Sequence, residues 1–582
     1  MLQTFHFELH ILVSRKRTNM KLLLSCAILL GSYGILAQTP LYIPPTIETS
    51  TIDLTLQNGT TQFYNGVTTN TMGANGSLLG PTLILNKDDQ VTINVNNQLG
   101  EETTIHWHGL HVAPENDGGP HSIIPDGTIW SPQFTVLDQA GINWYHPHLH
   151  STTNEHVSKG IAGLILVKDQ EEAALTLPRD YGIDDFPIIV QTKGFTASGQ
   201  IEWMSELDTS LMVNGTIDPY LDAPAQVVRL RLLNGSSQRF YKFGFSNNAS
   251  FQLIGTDGGL LEAPVPLTRY QMGPGQRADI LIDLSGIQGQ NIQLMNFGSE
   301  IANAIYGASQ PGMMPQLMLP GYDQNPLNGN DYTVLDIQVG APTSNPVTTI
   351  PTNLTTHNIP QEGTEDITRS LLFNTQQNIV GPFTINGSLF DMNVINYTVP
   401  LGNREIWSLT NQTPIAHPFH IHDVQFYILD INGSPPPPEL SGLNDVVMVP
   451  AGMGNVRFIA DFLDHANDTI PYMYHCHMLT HEDEGMMGQF IVTDPNASVV
   501  ENMSSLANVY PNPSNDVISV THPRLKNAEL TLVDITGSVI PISMALQSTD
   551  EGIINLSSIA SGMYFLQFRF DSNYEVVKIE KL

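Results

Sequence analysis

Apolar and polar residues alternate with period two along much of the chain. Val91-Thr92-Ile93-Asn94-Val95, Val228-Arg229-Leu230-Arg231-Leu232 and, more briefly, Phe490-Ile491-Val492 are runs of this kind. Successive side chains of a strand point to opposite faces, so these runs predict strands. The pairs Asn58-Gly59, Asn75-Gly76, Asn234-Gly235 and Asn432-Gly433 are read as turns between strands. Long amphipathic helices are not predicted. Short strands punctuated by such turns make the chain all-β, built of sandwiches or barrels.

The strand runs fall into blocks. Residues 38–170 form the first, which ends Gly163-Leu164-Ile165-Leu166-Val167-Lys168-Asp169. Residues 171–345 form the second, with Asp257-Gly258-Gly259 and Arg277-Ala278-Asp279-Ile280-Leu281-Ile282 but no histidine. A Pro/Thr/Asn-rich connection from Gly340 to about Gly363 leads into the third block, 346–497, which ends Gly488-Gln489-Phe490-Ile491-Val492-Thr493-Asp494. After a Ser/Asn-rich linker, a short block spans 505–582. Blocks one and three repeat one order: His-x-His, a long gap, Tyr-His-x-His, then the Gly-led apolar strand ending in Asp. The elements are His106-Trp107-His108 and Tyr145-His146-Pro147-His148 in one block, His420-Ile421-His422 and Tyr474-His475-Cys476-His477 in the other.

Composition narrows the class. The 582 residues suggest roughly three to five domains. Charged residues are 14% and hydrophobics 41%, which is too apolar for a disordered acidic chain. A net charge of −33 argues against a nucleic-acid partner and against an anionic membrane surface. Two cysteines rule out a disulfide scaffold, a Cys-rich zinc module and most iron–sulfur sites. Cys26 lies in the apolar run Leu22 to Leu30, after Lys21 and before Ala37-Gln38. That pattern is a signal peptide, with Met20 the expected start and residues 1–37 removed; an N-terminal anchor is the alternative. The mature chain would then keep one cysteine, Cys476.

The 19 histidines are concentrated in the repeated motifs. Each His-x-His on a strand presents two imidazoles on one face. Four such pairs supply eight nitrogen donors, suited to three metal ions, two held by three imidazoles each and one by two. Cys476, between His475 and His477, faces the other way and serves a second site. With His417 and His481 it makes a His₂Cys trigonal set, and Met486 would be the weak axial ligand of a blue-copper centre. A buried core methionine is the alternative for Met486, with Met487 beside it. An electron entering at Cys476 could pass along the main chain to His475 and His477. Four coppers hold the four electrons that turn dioxygen into two waters.

His106-Trp107-His108-Gly109, His146-Pro147-His148, His417-Pro418-Phe419-His420-Ile421-His422 and the run His475 to Met486 resemble the multicopper oxidases, over about residues 40–495. The resemblance implies three cupredoxin-like Greek-key β-sandwich domains, with a trinuclear copper cluster between the first and third. It implies a type 1 copper on His417, Cys476, His481 and Met486. It puts the type 2 copper on His106 and His420, and the type 3 pair on His108, His146, His148, His422, His475 and His477. Asn75 to Asp169 is most similar to the bacterial branch of laccases, copper-efflux oxidases and bilirubin oxidases. In that branch Asp117 and Glu482 would relay the protons that oxygen reduction consumes. A turn residue before Gly118-Gly119 is the alternative for Asp117. His111, His121, His150, His156 and His465 are read as surface or supporting residues.

Tyr510-Pro511-Asn512-Pro513, Leu532 to Gly537, Ile559 to Phe565 and Val577 to Leu582 resemble the C-terminal sorting domain of the type IX secretion system. That implies a small β-sandwich, removed after passage across the outer membrane of a Gram-negative bacterium. A binding sandwich is the alternative. The expected protein is therefore a secreted or cell-surface, monomeric, laccase-like oxidase exported through the periplasm. Its reactants would be a small-molecule electron donor, such as a phenol or aromatic amine, and dioxygen. Cu(I) oxidation and non-catalytic copper binding are the rival readings. Met313, Met314 and Met318 form only a thin methionine cluster, and Asn411 to Ala416 lacks the aspartate that bacterial relatives often carry there. Family members without turnover lose ligand histidines, and none is missing here.

Overall fold

The computed structural model describes residues 38–314, 317, 319–378, 380–495, 507–535, 538–570 and 573–582. The expected leader with Cys26, Met318 and the linker at 496–506 lie outside them. The chain divides into two compact units, one ending at Asp494 and one beginning at Pro495.

Among the described residues, the larger unit forms six sheets around three main cores. One core is lined by Ile52, Leu54, Leu83, Ile93, Trp107 and Tyr145. A second gathers Phe186, Val228, Leu230, Phe243 and Ile280. The third gathers Phe373, Trp407, Phe419, Phe458 and Tyr474. These are the cupredoxin-like sandwiches. Thr39–Pro40 runs parallel to Pro219–Pro224, so the chain enters through a sheet of the second sandwich. The α-helices among the described residues are short; Thr153–Lys159, at 7 residues, exceeds the others. None is long and apolar enough to cross a membrane.

Gln90–Gln98 follows the alternation: Val91, Ile93 and Val95 are buried while Thr92 and Asn94 are half-exposed. Val227–Asn234 does not, because both of its faces are buried. Arg229 lies between Asp279 and Glu172, and Arg231 forms a forked pair with Asp185. These arginines line a cavity with Ile84 and Leu166 of the first sandwich, so the polar face is an ionic seam between sandwiches rather than a wet surface.

Asn58-Gly59 is not a turn. It sits inside Thr51–Tyr64, opposite Met72 and Thr71. A Cβ on Gly59 would meet the Ser77 Cα at 2.6 Å, so this glycine permits a close crossing. The hairpin turn is Asn65-Gly66, between Tyr64 and Val67. Asn75 and Asn432 do lie outside strands with positive φ, and Asn234 ends its strand.

The smaller unit has two four-stranded sheets. Ile518, Val520, Leu532, Leu566, Phe568 and Ile579 form its core.

Candidate metal centre

The repeated motifs occupy equivalent places in the first and third sandwiches. His106–His108 runs antiparallel to Gly141–His146, with His106 opposite His146. His417–Ile421 runs antiparallel to Asn467–Cys476, with His420 opposite His475. Tyr145 lies opposite Gly163 and Tyr474 opposite Gly488 in the next strand. A Cβ on either glycine would come within 2.3 Å of the tyrosine hydroxyl oxygen. The repeated glycine therefore leaves room for the repeated tyrosine, which fixes the strand carrying the second histidine pair.

Eight histidines converge between these sandwiches, and none is more than 2% exposed. His148, His422 and His475 form one group, His108, His146 and His477 another, and His106 and His420 meet beside His108. In the first group, His148 Nε2 is 3.1 Å from His475 Nε2 and 3.2 Å from His422 Nε2. In the second, His108 Nδ1 is 3.2 Å from His477 Nε2 and 3.4 Å from His146 Nε2.

The outward nitrogens explain what these contacts are. Nδ1 donates to the Asp117 carbonyl from His106 (2.9 Å), to the Asp445 carbonyl from His420 (2.8 Å) and to the Pro147 carbonyl from His146 (2.8 Å). His475 Nδ1 donates to the Cys476 carbonyl (3.1 Å), and His422 Nδ1 to the Asp117 carboxylate (2.8 Å). His108 Nε2 donates to the Asp445 carboxylate at 3.2 Å. With their protons placed outward, the inner nitrogens of these six rings carry lone pairs. Burial and neighbouring histidines hold His108, His146, His420 and His422 well below the ordinary imidazole pKa. Burial brings His148 and His477 to about 3. His108, His146, His148, His420, His422 and His477 are therefore neutral. Lone pairs cannot satisfy one another, and Nε2 of both His106 and His420 is buried without any partner. A cluster of cations fits this donor set, with outward partners orienting six of the eight rings.

A second site lies one residue away. Cys476 Sγ is 3.4 Å from His417 Nδ1 and 3.5 Å from His481 Nδ1, and all three residues are buried. The Thr413 hydroxyl donates to the Ile415 carbonyl at 2.9 Å and so accepts from His417 Nε2 at 2.8 Å. That leaves the His417 Nδ1 lone pair toward the sulfur. Burial raises the thiol pKa and lowers His481 to about 3. Met486 is fully buried in the same core; its carbonyl accepts from Cys476 N at 3.0 Å, and its N–H donates to His481 O at 2.8 Å. Phe383 packs on both imidazoles. His417 is fully buried and His481 is 7% exposed, so His481 is the residue of this site nearer solvent.

Asp117 and Glu482 are buried beside the cluster. The Asp117 carboxylate touches His422 and lies 3.3 Å from His106 Nδ1. The following Gly118 has φ +80° and passes so close to the Ile105 carbonyl that a Cβ would stand 1.7 Å from it. Glu482 lies 3.3 Å from His148 Nδ1 and 3.2 Å from His475 Nδ1. Burial would raise its pKa, but these histidines hold it far below the usual carboxylate range. Sequence reasoning missed Thr413, Asp445, Arg277 and Asp483. The Asp483 carboxylate accepts from the Thr153 and Asn154 N–H groups at 3.0 and 2.9 Å, tying the segment after His481 to the helix that follows His148.

The other histidines separate. His156 is deeply buried on Thr103 and Glu101, not a surface residue. His121 meets Gln489 at 2.8 Å, and His150 packs on Phe390. His111 donates to the Asp423 carbonyl and to Asp464, with His465 alongside. Burial would lower the His111 pKa, but Asp464 and Asp423 raise it to about 10. A raised pKa means that its stabilisation is complete below the unfolded value of about 6.5 and is lost as pH rises through about 10. His111→Gln is expected to lower the melting temperature at neutral pH, and the gap to wild type should close above about pH 10. Thermal melts across that range check this, and a constant gap refutes it.

Comparison with known proteins agrees with this geometry. Residues 55–172 and 351–496 match models of multicopper oxidase domains, and residues 508–581 match a secretion-system C-terminal sorting domain. The chain is 34% identical to a multicopper oxidase of Staphylococcus haemolyticus, over 76% of this chain and 88% of that one. It is 34% identical to the cell division protein FtsP of Sodalis glossinidius, over 78% and 93%. The structurally characterised laccase-like multicopper oxidase CueO of Ochrobactrum, active on lignin model compounds, superposes with TM-score 0.68 at 33% identity, over 78% of this chain and all of that one. The chain belongs to the multicopper oxidases: it is a copper-binding oxidoreductase that uses dioxygen as acceptor and carries a type IX sorting domain.

Proposed function

We propose that the protein is a laccase-like oxidase that takes single electrons from small reductants, such as phenols or aromatic amines, and passes them to dioxygen. The observation that carries this reading is the covalent adjacency of the two sites. Cys476, with His417 and His481, faces one donor set, while its chain neighbours His475 and His477 face the other. In this reading His417, Cys476, His481 and Met486 hold a type 1 copper and His106 and His420 a type 2 copper. His108, His146 and His477 hold one member of the type 3 pair, and His148, His422 and His475 the other. Four coppers, when bound, supply the one-electron redox chemistry that joins a one-electron donor to a four-electron acceptor. The donor docks at His481, whose edge reaches the surface. Asp117 and Glu482 relay protons through their carboxylate oxygens, and the buried rings exclude bulk water. The sorting domain marks the chain for secretion or the cell surface; we further propose a periplasmic stage and a monomeric mature enzyme.

A second reading, Cu(I) as the donor, rests on exposed thioethers. Met313, Met314 and Met453 are 55%, 46% and 62% exposed. Met313 N–H donates to the Pro414 carbonyl, its sulfur lies against Gly452, and Gly452 N–H donates to the carbonyl of Thr413, which contacts His417. Thioethers suit Cu(I). Steady-state oxidation of a methoxyphenol is expected to exceed that of Cu(I) at equal concentration. A strong Cu(I) preference, lost in the triple Met→Leu variant at these positions, would reverse the order. A third reading is copper binding without turnover; absence of oxygen consumption by the copper-loaded protein with every reductant would establish it.

A further inference from the structure

The second sandwich supplies none of the proposed ligands, yet one of its side chains reaches the cluster. Arg277 is fully buried where the three sandwiches meet. Its Nη1 donates to Asp445 Oδ1 at 2.6 Å and its Nη2 to Asp445 Oδ2 at 2.5 Å, a forked pair. Its remaining N–H groups go to the carbonyls of Gly275, Asp257 and Ile142 and to the Asn143 side chain. The guanidinium is thereby locked from the first and second sandwiches while it grips a carboxylate of the third.

Asp445 then acts on two histidines. Its Oδ1 accepts from His108 Nε2 at 3.2 Å, and its carbonyl accepts from His420 Nδ1 at 2.8 Å. His108 is the one ring of its group that turns Nδ1 inward, and the bond to Asp445 imposes that tautomer. Space is reserved for the arrangement. A Cβ on Gly109 would stand 2.5 Å from Arg277 Nη2 and 2.8 Å from Asp445 Oδ2. Gly275, two residues before Arg277, lies against the His477 ring, where a Cβ would meet Cδ2 at 2.9 Å.

We infer that Arg277 is a positioning residue of the histidine cluster: by clamping Asp445 it fixes the tautomer of His108 and the place of His420, so that copper is held there. This rests on the ligand assignment proposed above. An Asp445 carboxylate without its fork is free to rotate, and His108 can then protonate the inward nitrogen.

The test uses the full chain. Arg277→Lys keeps the charge but loses the fork. Asp445→Asn leaves one acceptor for two donors. The double variant Arg277→Gln/Asp445→Asn removes both charges of the fork together; the Asp257 carboxylate, 3.5 Å from Arg277 Nη1, is pushed up to about 7 by burial and can become neutral by protonation. Each is titrated with copper, and bound metal, the visible blue band, the electron paramagnetic resonance spectrum and the melting temperature of the metal-free protein are recorded. The expected result is cluster copper affinity about 10- to 100-fold weaker in all three, with the Cys476 blue band kept. Wild-type cluster affinity and spectra in the two single variants would overturn the inference. So would full restoration in the double variant, which would reduce the pair to charge balance, or failure of all three to fold, which would make Arg277 a folding residue. A wild-type chain that binds no cluster copper refutes the ligand assignment itself, independently of Arg277.

Discussion

Cys476→Ser is expected to give a folded protein that has lost its intense blue absorption, one bound copper and all turnover with organic reductants. The side chain is fully buried and the substitution nearly conserves volume, so packing changes little. What disappears is the only thiol among the described residues, and with it the only group there that can form a thiolate. A hydroxyl keeps its proton far above neutral pH and cannot replace it between His417 and His481. The eight-histidine cluster has its own donors and should still load copper. Metal analysis with visible and paramagnetic resonance spectra checks each part. Persistent blue colour would show that Cys476 is not the ligand, and retained turnover would show that electrons enter elsewhere.

Asp117→Asn is expected to slow oxygen reduction by about 100- to 10,000-fold, the range for loss of a general acid. One Asp117 oxygen accepts from His422, and an amide oxygen can do the same. The other is buried without a hydrogen-bond partner, 3.3 Å from His106 Nδ1. That oxygen is free to carry a proton, and an amide nitrogen in its place is not. Copper content and anaerobic reduction of the Cys476 site should stay at wild-type levels, while reoxidation by dioxygen slows. Stopped-flow bleaching and recovery of the blue band separate the two phases. An unchanged turnover number would remove Asp117 from the proton path.

The histidine groups were legible in sequence because strand periodicity converts spacing into direction. His475 and His477 point one way and Cys476 the other, whatever surrounds them. Repetition of the motif with its Tyr–Gly pair made the two outer sandwiches recognisable as copies. Asp445, Arg277, Thr413 and Asp483 had no such signal. Arg277, Asp445 and Asp483 acquire their partners where segments distant in sequence meet, and Thr413 reaches His417 through a local bend that no periodicity announces. The same limit explains Arg229 and Arg231: alternation separates two faces of a strand but does not say that one is wet. Asn58-Gly59 had turn chemistry without turn geometry, because its glycine answers a crowding contact with Ser77 instead.

Every histidine group spans both ends of the larger unit. His108 and His146 need His477, His148 needs His422 and His475, and His106 needs His420. A nascent or partly translocated chain can therefore offer at most two imidazoles of any group. On the proposed assignment, copper capture by the eight-histidine cluster must wait until the last sandwich has closed on the first, whereas His417, Cys476 and His481 all lie in the third. On that assignment the architecture times the loading of the oxygen-reducing cluster to the final closing of the fold, so the four-electron acceptor site is completed last.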